Sequence, residues 1–153
     1  DMALRMTWQH FECLAGALWS KMGYDCYRTP GTSDNGIDVV ALLGAKGQLV
    51  QAKSSGTDGA KLGWEAVKDV VTGEAFYRRR HPGVDFEKVC ITNQFFSQQA
   101  QENAALNVVE LLDQTNLAAM LTEHAVTMLE VERMLFTEWQ HTDEAAVHWT
   151  NDN

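Results

Sequence analysis

The sequence predicts an α/β fold, with helices on both faces of a mixed sheet assembled around one β-hairpin. Three observations carry the prediction. Apolar residues recur at helical spacing in the first 22 positions, two apolar runs flank a Gly-Ala-Lys-Gly turn at 44–47, and short apolar runs at 89–92 and 108–112 alternate with helical patterns. A chain of 153 residues is about one domain's worth. At that size it needs neither a disulfide nor a metal to fold, because it buries roughly two thirds of the surface its unfolded form exposes.

The elements follow in order. Trp8, Phe11, Ala15, Leu18 and Met22, with Leu14 and Trp19 flanking, place an amphipathic helix over 7–22, which Gly23 ends. A short strand covers 24–29. Residues 30–36, nearly all turn formers, make a loop. A strand over 37–43 and its partner over 48–53 form the hairpin. A Gly/Ser-rich loop at 54–63 precedes a helix at 64–79. Strands at 89–92 and 108–112 are of the buried, apolar kind. Ser97 caps the helix between them and Asp113 caps the next one. A last helix covers 127–139, where Leu129, Leu135, Phe136 and Trp139 are expected to bury an apolar stripe behind the sheet. Residues 141–153 are expected to form a tail.

The net charge of −9 is unevenly spread. Residues 1–101 carry 11 basic and 11 acidic side chains, whereas 102–153 carry Arg133 against ten acids. The acidity therefore belongs to the C-terminal third and does not exclude a polyanionic partner for the rest. No apolar run approaches the roughly 18 residues of a membrane span. Cys13, Cys26 and Cys90 are scattered, without a CxxC pair, which predicts buried inert thiols and a reducing, cytoplasmic setting. Opening on Asp1, the chain is expected to be processed or a piece of a longer protein.

One residue stands out in the hairpin. Asp38 interrupts an apolar strand, and an ionised carboxylate there needs a partner. With the turn centred on Ala45-Lys46, Asp38 lies opposite Lys53 and Val40 opposite Gln51, so Asp38, Gln51 and Lys53 share one face. At this point the reading is open between a structural Asp–Lys pair and a functional site.

Asp34-Asn35-Gly36-Ile37-Asp38-Val39-Val40-Ala41 followed by Leu49-Val50-Gln51-Ala52-Lys53 resembles the core of the Mrr-like nucleases. These are the type IV restriction-endonuclease branch of the PD-(D/E)xK superfamily, with glutamine in place of the middle acid. The resemblance extends to Phe11-Glu12, Gly23-Tyr24, Thr92-Asn93, Leu111-Leu112-Asp113 and Leu117, and covers roughly residues 8–122. The superfamily's proline is missing beside Asp38. The resemblance implies a restriction-endonuclease-like α/β/α sandwich over 1–122, with 123–153 as an acidic C-terminal helical extension.

It also implies a Mg²⁺-dependent DNA endonuclease, with Mn²⁺ able to substitute. Asp38, the Gln51 side-chain oxygen and the Ala52 carbonyl are hard oxygen ligands for such a cation. Lys53 would orient or activate water and balance charge near the scissile phosphate. Gln51 in place of an acid leaves the metal one negative charge short. Glu12, on the rim of the helix's apolar face, either reaches inward toward the metal or is a solvated rim residue. Asp34 either supports the metal site or stabilises its turn. Ser54, Ser55, Lys61, Lys68 and the run Arg78-Arg79-Arg80 are candidate contacts to the DNA backbone. For the arginines the alternative is favourable charge at a helix C-terminus.

No phosphate-loop or GxSxG pattern occurs. The expected role is defence against foreign or modified DNA, or that of a nuclease effector. A homodimer is expected, with a further targeting or sensor domain and no membrane. The alternative is a catalytically inactive nuclease-like fold that serves as a DNA-binding or oligomerisation module.

Overall fold

The computed structural model describes residues 7–29 and 36–136. Helix α1 spans Trp8–Lys21, and Thr7 caps it by accepting the His10 amide at 3.3 Å. Phe11, Leu14, Ala15, Leu18 and Trp19 are buried along the predicted stripe, whereas Trp8 in the first turn is exposed. Gly23 takes φ 105, the left-handed conformation that ends a helix without steric cost.

Strands β1 (Asp25–Arg28), β2 (Val39–Leu43), β3 (Lys46–Lys53), β5 (Asp85–Thr92) and β7 (Val109–Leu112) form one sheet in the order β1-β2-β3-β5-β7. The β1–β2 and β2–β3 pairs are antiparallel, and β3–β5 and β5–β7 are parallel, so the sheet is mixed as expected. Two short strands, β4 (Lys61–Leu62) and β6 (Phe95–Phe96), pair in a small second sheet that the sequence did not announce. Strand β5 begins four residues before the predicted run. Asp85, Glu87 and Lys88 dilute its apolar pattern, but β3 pairs with it along its full length.

Helices α2 (Lys68–Arg80) and α3 (Gln98–Leu106) cover one face of the sheet, packed on Val40, Leu49 and Cys90. Helices α1 and α4 (Gln114–Glu123) cover the other, over Val39, Ala41, Val50, Ala52, Val89 and Ile91. Ser97 and Asp113 cap α3 and α4 as predicted. The helix predicted over 64–79 divides into a 3₁₀ turn at Trp64–Ala66 and α2.

A further helix, α5, runs over 128–136. It faces α1 with Val131 and Met134 buried and Leu135 partly buried. A side chain at Gly16 of α1 would run into Met134. Leu129 and Phe136 are exposed, contrary to the predicted stripe. Seven residues apart, they share the opposite side of the helix from Val131 and Leu135. Trp139 and the tail at 141–153 lie outside the described residues.

Candidate active site

The hairpin register differs from the predicted one. Leu43 faces Lys46 across a two-residue turn at Gly44-Ala45, with Gly44 at φ 62. Val39 therefore faces Val50 and Val40 faces Leu49, a shift of two residues. The amide of Asp38 also bonds the Val50 carbonyl, at 2.9 Å. Two residues of one strand thus stand against one of its partner, the geometry of a β-bulge. The bulge takes Asp38 out of the strict alternation, so it lies directly opposite neither Lys53 nor Gln51. Its Oδ2 instead accepts the Ala52 amide at 2.8 Å.

Glu12 comes in from α1. Its carboxyl lies against that of Asp38, within hydrogen-bonding reach, and its side chain is only 12% exposed. Arg28, at the end of β1, donates to Glu12 Oε2 at 3.0 Å and is itself 3% exposed. Burial first, and Glu12 second, push the Asp38 carboxyl up to about 7 against the opposing pull of the Ala52 amide and Lys53. Gln51 lies near the end of β3, two residues before Lys53, 2% exposed and beside Cys90 of β5. Its Oε1 is buried with no hydrogen-bond partner, although a buried amide oxygen ordinarily has one.

The loop after Lys53 is held from below. Asn93 Oδ1 accepts the Ser55 amide at 2.9 Å, and its Nδ2 donates to the Ser55 carbonyl at 3.0 Å. Gln94 Oε1 accepts the Gly59 amide at 3.0 Å. Both side chains are buried. Ser55 Oγ accepts the Thr57 amide, an interaction internal to the loop. Gly36, at φ 67, closes the other side: a Cβ there would lie 2.3 Å from that of Asp69 in α2.

Asp38, Glu12, Gln51, Ala52 and Lys53 thus converge at one end of the hairpin, with Ser54 and Ser55 directly after them. Lys61 is exposed on β4, and Lys68 is exposed and paired to Glu65 at 2.6 Å. The arginine run is not brought to this end. Arg78 donates to the carbonyl of Phe86, which faces Gly47, and Gly47 precedes Lys53 by six strand residues, about 20 Å. Arg79 and Arg80 follow at the same helix end. Asp34 lies outside the described residues.

The Mrr_cat family model, described as restriction endonuclease, matches residues 3–121. The chain belongs to that restriction endonuclease family. No curated protein matches it in sequence. Three solved structures share its fold. A protein of unknown function, AF1548, superposes with TM-score 0.64 at 15% identity, over 76% of this chain and 66% of its own. The MspJI restriction endonuclease in complex with a 27-mer oligonucleotide superposes with TM-score 0.55 at 23% identity, over 83% of this chain and 31% of its own. The DNA modification-dependent restriction endonuclease AspBHI gives 0.54 at 19%, over 86% and 35%. The chain therefore spans about a third of the length of these two enzymes.

Within this restriction-endonuclease domain, Arg28 and the Asn93–Gln94 pair escaped the sequence reading as parts of the site. A signal for Arg28 was present. It shares parity with Cys26 in a four-residue strand, and an arginine at an inward strand position requires an acid. The three cysteines are free and buried as expected, with burial pushing Cys26 up to about 11 and Cys90 to about 12. No described helix is long and apolar enough to cross a membrane.

Proposed function

We propose that this chain is the catalytic domain of a Mg²⁺-dependent DNA endonuclease that hydrolyses phosphodiester bonds by attack of water. The observation that carries the reading is the orphaned Gln51 Oε1, buried on the residue next to Ala52, whose amide Asp38 accepts. An amide oxygen without a partner, on the same strand end that Asp38 and Lys53 share, is suited to a hard cation that takes oxygen ligands. No group of three or more His, Cys, Asp or Glu side chains forms a metal cluster among the described residues. The donor set is therefore mixed: Asp38, the Gln51 amide oxygen, the Ala52 carbonyl and Glu12. When bound, the cation would supply neutralisation of the scissile phosphate and a more acidic water.

The chain's own residues do the rest. Asp38 and Glu12 bring the negative charge that recruits the cation. Lys53, two residues beyond Gln51 on the same side of β3, orients the attacking water and balances charge on the phosphate. Asn93 and Gln94 fix the backbone of the following loop, where Ser54 and Ser55 stand ready for the DNA backbone together with Lys61 and Lys68.

The setting we propose is defence against foreign or modified DNA, as a homodimer in the cytoplasm, with targeting supplied by a further domain. That MspJI and AspBHI are restriction endonucleases, and the share of those chains lying beyond this domain, support it. Closed two-fold dimers are also the commonest oligomers. Plasmid nicking with and without Mg²⁺ tests the core reading. Cleavage that needs Mg²⁺, stops with EDTA and disappears in Lys53→Ala is expected. Absence of cleavage on every DNA tried, with the protein folded and dimeric, would favour the non-catalytic binding module.

A further inference from the structure

Arg28 takes no part in the reading above, yet it is the most deeply buried lysine or arginine among the described residues. Its placement follows from the sheet. Arg28 faces Val39 in the β1–β2 ladder, and the Thr29 amide bonds the Asp38 carbonyl at 3.1 Å, so the end of β1 is carried to the bulged end of the hairpin. There the guanidinium meets Glu12 at 3.0 Å, and Glu12 meets Asp38. Two carboxyls in one dry volume repel each other and require positive charge nearby. Lys53 supplies some of it to Asp38. A divalent cation would supply more than the pair needs.

We infer that Arg28 is the resident counter-ion of the metal-free site: it neutralises Glu12 and holds it beside Asp38, and by remaining there it sets how tightly the cation binds. The inference rests on the divalent-metal reading above. A guanidinium does not lose its proton, so its charge persists when the cation arrives. It therefore stabilises the empty site and opposes the filled one. Arg28 acts through Glu12 and is a positioning residue, not a catalytic one.

The test compares the parent with Glu12→Gln, Arg28→Met, and the double variant Glu12→Gln/Arg28→Met. Mg²⁺ is titrated by calorimetry at a pH where the carboxyls are ionised, and Tm is read with and without Mg²⁺. Arg28→Met should have the lowest metal-free Tm and the largest rise on adding Mg²⁺. Should that variant fail to fold, the double variant decides, because it removes both members of the buried Arg28–Glu12 pair. It should bind Mg²⁺ about tenfold more tightly than Glu12→Gln, since only the repelling charge differs between them. Arg28→Lys in the Glu12→Gln background should hold the affinity at the Glu12→Gln value. Equal affinity in Glu12→Gln and the double variant would overturn the inference, leaving Arg28 as a space-filling strut. A parent protein with no Mg²⁺ response in heat or in Tm would instead overturn the metal reading, and this inference with it.

Discussion

The Asp38 carboxylate accepts the Ala52 amide at 2.8 Å, from a bulge before one strand to the end of the next. That amide belongs to the peptide joining Gln51 to Ala52, so one hydrogen bond ties the aspartate to the backbone carrying the other two polar groups of the motif. The bond also supplies what a buried carboxylate needs, a donor for its charged form. Burial and Glu12 pull the other way and prevail. The site is thus held in shape by backbone while Arg28 and Lys53 compensate its two carboxyls only in part, a condition that favours a cation.

Asp38→Asn keeps an acceptor for the Ala52 amide and removes only the charge. Cleavage should fall by at least about a hundredfold, the scale on which positioned charge contributes to catalysis, with no loss of Tm. Lys53→Ala should lose activity on the same scale. Nicking assays on the folded variants check both, and near-parental cleavage by either would remove these residues from the site.

The raised Asp38 carboxyl gives the metal-free protein a specific pH dependence. Its folded pKa, about 7, lies above the unfolded value of about 4. Between those values the native state binds more protons than the unfolded one, so stability falls as pH rises through the window. Thermal melts in EDTA should show Tm declining from about pH 4 to about pH 7, and Asp38→Asn should flatten that part of the profile. An unchanged slope in Asp38→Asn would place the titration elsewhere.

The mixed sheet, the hairpin and both caps were legible in the sequence because each rests on local chemistry: apolar periodicity, Gly44 in a tight turn, and Ser97 and Asp113 ahead of helices. The convergence of Glu12 with Asp38 was legible only as one of two options, because a rim position on a helical wheel does not say what lies across from it. The register was missed for a physical reason. A two-residue slip preserves side-chain parity, so the same residues face the same side whether the turn is Gly44-Ala45 or Ala45-Lys46. The bulge at Asp38 and the burial of Arg28 depend on Val50 and Glu12, partners distant in sequence, which local pattern does not encode.

Val108 sits at φ 55, a left-handed conformation that a β-branched side chain disfavours, and it is 80% exposed, so little packing compensates. Val108→Gly should stabilise the protein by about 1 kcal/mol, the scale of the left-handed penalty it relieves. A fall in denaturation midpoint would show that the side chain makes contacts that outweigh the strain.

Asn93→Ala removes both the acceptor and the donor that fix Ser55. The cost should be about 1–3 kcal/mol, because buried backbone groups lose their partners. The 54–59 loop should also become the preferred site of limited proteolysis. Unaltered protease resistance there would mean that Gln94, through Gly59 and Ser55, holds the loop alone.

Gln51 allows the sharpest separation of structure from function. Its Oε1 is buried without a partner, so in the metal-free protein the amide is a net burden. Gln51→Leu replaces it with an apolar side chain of similar reach and should raise the metal-free Tm while abolishing the rise that Mg²⁺ produces. Gln51→Glu does the reverse. A third carboxyl joins Asp38 and Glu12, so the metal-free Tm should drop, and Mg²⁺ should bind more tightly with cleavage retained, because the added charge is one the cation neutralises. These opposite signs cannot both come from packing, since both variants keep the volume of the side chain nearly constant. If Leu and Glu shift the metal-free Tm in the same direction and leave the Mg²⁺ response alone, Gln51 is a core residue and not a ligand.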